Sequence, residues 1–292
     1  KLHEDDIYVI WRVVVFKDNL LSKNRPDLSI KWNYDKSIVW SDFSWNSYLD
    51  AGSKEVWDYA VDIANASYEL WFDEINFDYV RFPSDWYISK AYFPFSDETI
   101  TNYGKYWKVK IIDEFSNYIT SKIKETNPDL ILSADVFGLV TNVDIHSIWQ
   151  NLESFLINFD YVSPMIYPSH YANGYLGYTV PDNAPYAIFQ DSIKKAKSKI
   201  DDFNNNLDIS TASGTTLFIN SAFSPDKDIK EIKKLELEQI RPWIQWFTCT
   251  RCQWATPYTR TKFREQIRAL NDFWLKSWFV WSSGSNYYRE WY

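Results

Sequence analysis

Two aspartates and one arginine lie in apolar segments where buried side chains could carry out acid–base chemistry. The segment FDEINFDYVRFPSD predicts a strand over Glu74–Phe82, with Asp78 inside it and Arg81 near its end. A second carboxyl group, Asp135, lies near the end of the apolar segment Leu130–Phe137. Burying a carboxylate is unfavourable unless a partner compensates its charge. A structural Asp–Arg pair and a catalytic carboxylate are therefore both open interpretations of Asp78.

Strands and helices are predicted to alternate along the whole chain. Apolar runs predict strands at Ile7–Phe16, Glu74–Phe82, Leu130–Phe137, Phe159–Tyr167, Ile240–Phe247 and Ser277–Trp281. Helical periodicity and capping signals predict helices from Ser53 to about Leu70, at about Glu98–Thr126 and Ile145–Leu156, from Pro185 to about Phe203, at about Asp228–Glu238 and from Thr256 through Phe273. Residues 19–52 show no period and are expected to be irregular. The pattern predicts one domain over residues 1–292, with an insertion at about 204–238.

Polar residues gather where the predicted strands end. Such alternation of strand and helix indicates a parallel sheet, either doubly wound or closed into a barrel. A (β/α)8 barrel carries its active site at the carboxyl ends of its strands. The residues found there are Asp18, Asp78, Arg81, Asp135, Tyr167, His170, Gln245 and Trp281. This distribution favours the barrel, and the lack of a glycine-rich loop after any strand weakens a nucleotide-binding interpretation.

Composition restricts the partners of the chain. The net charge of −8 argues against a nucleic-acid partner, and no apolar run reaches the length of a transmembrane helix. The 16 Trp, 21 Tyr and 19 Phe suit a carbohydrate-binding cleft, and they suit an aromatic core as well. Cys249 and Cys252 form a single CxxC pair that predicts a local disulfide or two free thiols. No metal or cofactor is expected.

Five motifs, in the order YVIWRVVVFKD, FDEINFDYVRFPSD, SADVFG, SPMIYPSHY and RPWIQWF, carry a family resemblance. Together they resemble the bacterial DUF4015 family of glycoside hydrolases over essentially the whole chain. The resemblance implies a catalytic domain of the TIM-barrel glycosidase type, so the expected fold class is α/β with a (β/α)8 barrel. Two strands precede the first motif in that family, which implies a barrel that lacks its first two strands in this chain.

The resemblance also implies roles for the two aspartates. Glycoside hydrolysis needs two carboxyl groups that flank the scissile bond. By analogy with barrel glycosidases that use strands four and five, Asp78 would be the nucleophile or base and Asp135 the general acid, with the reverse assignment left open. An apolar surround is expected to raise the pKa of Asp135. Arg81 is expected to keep Asp78 ionised or to bind substrate.

Other side chains near the strand ends are candidates for binding a polysaccharide or oligosaccharide. Rings that could stack on sugars belong to Tyr167, Tyr171, Trp243 and Trp281, and polar groups that could bind hydroxyls belong to His170, Arg241 and Gln245. For each of these residues a role in the core or in ordering a loop is an open alternative. The resemblance implies an extracellular or cell-envelope location.

Three other interpretations compete with a hydrolase that uses two aspartates. An inactive glycan-binding or cell-wall-associated barrel is favoured by Trp246, which stands where the family usually has aspartate. Substrate assistance, as in chitinase-like barrels, would need a third acid after Asp78, and Tyr79–Phe82 contains no glutamate. Metal-dependent deacetylation would need an Asp/His/His cluster, and the three histidines, His3, His146 and His170, have no such spacing.

Glycine is scarce and tryptophan abundant in this chain. Average usage would give about 20 glycines at this length, and there are 7, against 16 tryptophans. Several tryptophans occupy positions typical of glycine in turns or at helix ends, among them Trp45, Trp71, Trp86 and Trp254. The hypothesis is that the source organism reads UGA codons as glycine, with Trp71, Trp86, Trp254 and Trp278 as the leading candidates.

Overall fold

Six parallel strands form the curled sheet that carries the predicted acidic residues. A computed structural model describes residues 2–84, 87–97, 102–143, 149–219, 223–252, 254 and 256–291. Its strands are β1 (Ile10–Val14), β2 (Lys31–Trp32), β3 (Glu74–Asp78), β4 (Ala91–Tyr92), β5 (Ile131–Phe137), β6 (Tyr161–Met165), β7 (Trp243–Gln245) and β8 (Phe279–Trp281). The main sheet has the order β1-β3-β5-β6-β7-β8, while β2 and β4 form a separate antiparallel pair.

Each strand of the main sheet runs parallel to its neighbours, as a barrel of alternating strands and helices requires. The six predicted strands are all present, and their order in the sheet follows their order in the chain. The prediction of an α/β fold with a barrel-type parallel sheet is therefore confirmed. The observed strands are shorter than predicted, because the apolar runs extend into the segments that precede or follow them.

Six α-helices connect the strands within the described residues. They are α1 (Asn19–Asn24), α2 (Lys54–Glu69), α3 (Trp107–Thr126), α4 (Leu152–Asn158), α5 (Pro185–Ser213) and α6 (Arg260–Asn271). The helix α2 packs against α3, and α5 packs against α6. The outward face of β3 contributes Ile75 and Phe77 to the hydrophobic core, and both side chains are fully buried. In the part of the chain that the structure covers, no helix is both long and apolar enough to cross a bilayer.

Three predictions about the segments outside the sheet were wrong. Residues 19–52 are not wholly irregular, since they contain α1 and β2. The helix predicted to end near Phe203 continues to Ser213, because the buried Leu207 extends the apolar stripe past the asparagine run. The charged segment predicted as a helix over Asp228–Glu238 forms only two short 3-10 turns. The predicted helix starts near Glu98 and Ile145 lie outside the described residues; within the described residues, these helices begin later than predicted, at Trp107 and Leu152.

The inner face of the sheet carries a column of buried polar side chains. Alternate residues of β3 place Glu74, Asn76 and Asp78 on this face. The neighbouring strand β5 adds Ser133 and Asp135, and Asn76 donates hydrogen bonds to Ser133 Oγ at 3.0 Å and to Asp135 Oδ1 at 3.1 Å. Polar groups this deeply buried are stable only when they are paired. The column therefore fixes the side chains of the two predicted catalytic strands relative to each other.

Candidate active site

A cavity of about 610 Å³ opens at the carboxyl ends of the strands. Eight of the ten predicted site residues line it: Asp78, Arg81, Asp135, Tyr167, His170, Tyr171, Trp243 and Trp281. They come from β3, β5, β7 and β8 and from the loops after β3 and β6, which are far apart in the chain. The parallel sheet brings them together, as expected for the rim of a barrel.

Arg12 contacts both aspartates in the lining of this cavity. The strand β1 lies beside β3 and pairs Arg12 with Asn76. The Arg12 guanidinium forms a close ion pair with Asp78 Oδ2, and its Nε lies 3.5 Å from Asp135 Oδ2. Because both oxygens contact one planar group, they lie less than about 9.5 Å apart, which is the largest separation found in inverting glycosidases.

Asp135 is almost completely buried and has an unusual pKa. Burial and the nearby charge of Asp78 raise the pKa of Asp135 to about 7, although hydrogen bonds and Arg12 oppose this rise. Its Oδ1 accepts hydrogen bonds from Trp243 Nε1 at 2.7 Å and from Asn76 at 3.1 Å. A carboxyl group with this pKa holds its proton to near neutral pH, as a general acid must.

The backbone turns sharply directly after Asp78. The strand ends there, and Tyr79 adopts a left-handed conformation with φ of +56°. In a continued strand, Asp78 and Arg81 would point to opposite faces of the sheet. The turn at Tyr79 breaks this alternation, so that both side chains line the same cavity. A strained non-glycine residue next to a buried carboxylate is a feature typical of functional sites.

Arg81 does not make the contact with Asp78 that the sequence predicted. Its Nη1 donates a hydrogen bond to the carbonyl oxygen of Phe82 at 3.2 Å. The guanidinium lies 5.0 Å from the ring centroids of both Tyr79 and Phe137. Among the described residues, the ion-pair partner of Asp78 is Arg12. The binding of substrate by Arg81 stays a prediction.

Tyr167, His170 and Tyr171 form one wall of the cavity. Burial and the charges of Asp135 and Asp78 raise the pKa of Tyr167 well above its usual value, so its hydroxyl stays protonated. Its ring meets the His170 ring edge-on at 5.2 Å. His170 keeps part of its surface exposed, yet the surrounding protein lowers its pKa, an effect that the charge of Asp182 partly offsets. Tyr171 shares a hydrogen bond of 2.9 Å with Ser192.

Trp243 and Trp281 also line the cavity. Their rings meet edge-on at 5.8 Å, and Trp243 also packs against Phe279 at 4.5 Å. The Arg12 guanidinium lies 5.5 Å from the ring centroid of Trp281. Trp243 therefore serves two purposes in the structure, because it gives the cavity an aromatic surface and donates a hydrogen bond to Asp135.

The structure places the other two predicted substrate-binding residues away from the cavity lining. Arg241 is buried in an ion pair with Glu74, below Asn76 in the polar column of the sheet. Gln245 accepts hydrogen bonds from the backbone and hydroxyl of Ser169 at 3.1 and 2.9 Å. It also donates to Asp182 at 3.2 Å. Both residues order the scaffold instead of meeting the cavity, so the alternative left open for Arg241, a core ion pair, is the one observed.

Sequence reasoning missed Arg12 and Asn76. Arg12 had a visible signal, since it is the one charged residue in the strand run IYVIWRVVVF, which otherwise predicts burial on both faces. Asn76 had a weaker signal, because it shares the alternating face of β3 with Asp78. Of the other acids near strand ends, Asp18 caps α1 by accepting a hydrogen bond from Leu21 at 2.8 Å. Asp85 lies outside the described residues.

Two further features bear on the alternatives left open by the sequence. Cys249 and Cys252 form a disulfide, which removes their thiolates as ligands although His170 lies close to both sulfurs. Trp246 is buried and packs edge-on against Phe263 at 4.5 Å. It is not among the residues that line the cavity. The change from the family's usual aspartate to Trp246 therefore lies outside the wall of this cavity.

Several solved structures resemble this chain. A hypothetical protein from Ruminiclostridium thermocellum ATCC 27405 is 37% identical over 46% of this chain and 61% of its own, with a TM-score of 0.37. The spore cortex-lytic enzyme SleL from Bacillus megaterium QM B1551 is 10% identical over 99% of this chain and 59% of its own, with a TM-score of 0.53. The PgaB (BpsB) glycoside hydrolase domain from Bordetella bronchiseptica is 11% identical over 81% of this chain and 59% of its own, with a TM-score of 0.45.

The chain spans about three fifths of the length of each of these proteins. The likeness to SleL supports the α/β fold with a barrel-type parallel sheet described above. No curated protein matches the chain. A family model described as "Putative glycosyl hydrolase domain" matches residues 1–209 and 217–287. With nearly all of its residues matched, this chain belongs to the DUF4015 family of glycosyl hydrolases.

Proposed function

We propose that the chain cleaves a polysaccharide or oligosaccharide with Asp78 and Asp135 as its two catalytic carboxyl groups. The observation that carries this proposal is the contact of both groups with the single guanidinium of Arg12 in the lining of the cavity. That contact gives the carboxyl groups a separation compatible with glycoside hydrolysis. It also makes their environments different, because Asp78 is in a close ion pair while Asp135 is buried with a pKa of about 7.

This difference supports one assignment of the two roles. Asp135 protonates the glycosidic oxygen as the bond to the anomeric carbon breaks, and its Oδ2 carries the proton because Oδ1 already accepts two hydrogen bonds. Asp78, which forms an ion pair with Arg12, attacks the anomeric carbon or takes a proton from the attacking water. Trp243 and Trp281 provide aromatic faces on which a sugar ring can stack.

We further propose an extracellular or cell-envelope location, with an envelope or extracellular polysaccharide as the substrate. The Cys249–Cys252 disulfide supports this location, since disulfides persist in oxidising compartments and are rare in the cytosol.

The test is a hydrolysis screen over bacterial envelope polysaccharides. Wild type, Asp78→Asn and Asp135→Asn are compared with Asp50→Asn, which alters a buried carboxyl group outside the cavity lining. We expect wild type and Asp50→Asn to release reducing sugar, and both site variants to lose this activity. If wild type releases none but binds a glycan as tightly as both site variants do, the chain is a binding module and the proposal fails.

A further inference from the structure

Arg81 is a buried cation inside the cavity that the proposed hydrolysis does not use. It is 8% exposed, and it lines the cavity three residues after Asp78. Among the described residues, no carboxylate lies within ion-pair distance of its guanidinium. Buried charges in proteins are normally paired, because removing an unpaired charge from water is costly. An arginine placed in this way indicates that a ligand supplies the missing negative charge.

The surroundings of Arg81 hold its side chain in a fixed position. Its guanidinium contacts the rings of Tyr79 and Phe137, each at 5.0 Å. Lys17 lies on the same tyrosine, with Nζ 4.6 Å from the ring centroid and 3.2 Å from the hydroxyl group. Tyr79 therefore contacts two cations through its ring. The arrangement fixes the guanidinium in advance, which lowers the entropy cost of binding an anion.

The net charge of the cavity lining is opposite in sign to the net charge of the whole protein. The chain carries a net charge of −8. Within the cavity, Arg12 compensates Asp78, and Asp135 is protonated below neutral pH. The positive charge of Arg81 is then left in excess at the place where the substrate would bind. A neutral glycan gives no reason for this excess, whereas an anionic glycan does.

We propose that Arg81 forms a subsite for a carboxylate carried by the sugar substrate, as in a uronic acid or a sugar with a carboxyl-bearing ether substituent. A planar guanidinium matches a carboxylate in geometry and can donate two parallel hydrogen bonds to it. This inference rests on the proposed function, because it names the class of substrate that the same cavity takes. Arg81 thereby determines specificity and has no part in bond cleavage.

The test measures binding separately from hydrolysis. Asp135→Asn, expected to be inactive, is titrated with alginate, polygalacturonate and hyaluronan, and with each polymer after chemical reduction of its carboxyl groups to alcohols. We expect at least one polymer to bind about tenfold more tightly than its reduced form. Adding Arg81→Gln should abolish this preference and leave binding of the reduced form unchanged. Arg81→Lys should retain part of the preference, because it keeps the charge but loses the planar geometry.

Each outcome of these titrations decides the proposal. Equal binding of native and reduced forms across the whole set, or equal weakening of both by Arg81→Gln, would overturn it. Dextran sulfate is included so that a preference for sulfate over carboxylate is detected, and that result would also count against it. A carboxylate preference in a wild-type protein that releases no sugar would retain the subsite while rejecting the hydrolase.

The backbone at four tryptophans carries a second, independent inference. Trp45, Trp71, Trp149 and Trp274 have φ values between +62° and +66°. This left-handed region is unfavourable for a bulky side chain and is normally occupied by glycine or asparagine. Three of the four side chains, Trp45, Trp71 and Trp274, are 79–83% exposed, so packing does not compensate the strain.

Two of these tryptophans occupy the position that ends a helix in a Schellman motif. After α2, Trp71 donates to the carbonyl oxygen of Tyr68 at 2.9 Å, and the next residue donates to that of Ser67 at 3.4 Å. After α6, Trp274 makes the equivalent bond to Asn271 at 3.0 Å. At the end of α5, Gly214 has the same left-handed conformation, with φ of +68°. Glycine is the usual residue at this position.

We infer that positions 45, 71, 149 and 274 are encoded by UGA codons and that the source organism reads these codons as glycine, not as the tryptophans written in the sequence. The structure thus favours Trp45 and Trp71 from the sequence hypothesis and adds Trp149 and Trp274. Trp254 and Trp278 are not among the residues with positive φ, and Trp86 lies outside the described residues. The scarcity of glycine in the chain agrees with this inference.

Melting temperatures and peptide masses test it. Trp71→Gly and Trp274→Gly should each raise the melting temperature by about 2–4 °C. Trp254 is exposed as well but does not have a positive φ, so Trp254→Gly should not raise it. Mass spectrometry of the protein isolated from its source should find glycine at positions 45, 71, 149 and 274. Tryptophan at these positions in the native peptides would overturn the inference.

Discussion

Replacing Asp135 with asparagine is expected to lower kcat by about 10²–10⁴-fold, because the variant has no proton to give to the leaving oxygen. The same residue should control how the wild-type rate depends on pH. Burial and the charge of Asp78 raise the pKa of Asp135 to about 7. The acid is therefore protonated and active below about pH 7, and kcat/KM should fall as the pH rises through that value. This fall in kcat/KM is the alkaline limb of the pH profile, and initial rates between pH 5 and 9 measure it. The residual activity of Asp135→Asn should show no such limb.

The same substitution, Asp135→Asn, should also stabilise the fold in alkaline solution. The folded-state pKa of Asp135 is above that of the unfolded chain, so the stability present at low pH is lost as the pH rises towards 7 and beyond. The difference between the ordinary aspartate pKa of 3.8 and a pKa of about 7 corresponds to at most about 4 kcal/mol. Asparagine cannot ionise and avoids this loss. We expect its free energy of unfolding, measured by urea denaturation at pH 8, to exceed that of wild type.

A matched comparison separates the two effects of Asp135. Asp50 is another buried carboxyl group, with a pKa raised to about 6 by burial, and it lies outside the cavity lining. It accepts hydrogen bonds from the backbone of Gly52 at 3.0 Å and of Phe95 at 2.8 Å. Asp50→Asn should keep the pH profile of wild type even if it alters stability. An unchanged alkaline limb in Asp135→Asn would show that another group is the acid.

The sequence was sufficient to predict the sheet because each strand is a long apolar run between helical segments. The same reasoning located Asp78 and Asp135, since a carboxylate within such a run stands out by its burial cost. It could not place Arg81, because strand alternation puts Arg81 opposite Asp78, and only the left-handed turn at Tyr79 brings the two together. A backbone torsion of this kind has no signal in residue types when the residue is not glycine.

The sequence also could not predict which distant residues pair with one another. Arg241 and Gln245 stand near a strand end, as substrate-binding residues do. Their partners Glu74 and Ser169, however, are supplied by other elements of the fold. The charged segment 228–238 failed for a similar reason. Its helical pattern was weak, and the side chain of Asn204 binds the backbone of Leu235 through both its oxygen and its nitrogen, which holds the segment in an irregular conformation.

Arg12→Gln is expected to reduce kcat by about 10²-fold and to shift the pH profile, although Arg12 was not a predicted site residue. The guanidinium forms an ion pair with Asp78 and lies 3.5 Å from Asp135, so it stabilises negative charge on both groups. Its charge lowers the pKa of Asp135. Without it, Asp135 should hold its proton more strongly, and the alkaline limb of kcat/KM should move to higher pH.

The direction of that shift distinguishes an electrostatic role from a structural one. A variant that merely loosened the site would lower the rate at every pH and leave the limb near 7. Arg12→Lys should fall between wild type and Arg12→Gln, since a single ammonium group cannot contact both carboxyl groups in the manner of a planar guanidinium. Arg25→Gln removes an exposed arginine that pairs with Asp27 and Glu55, and it should leave the profile unchanged. If Arg12→Gln keeps both the wild-type rate and the wild-type limb, the guanidinium does not couple the two carboxyl groups, and Asp78 and Asp135 act independently of it.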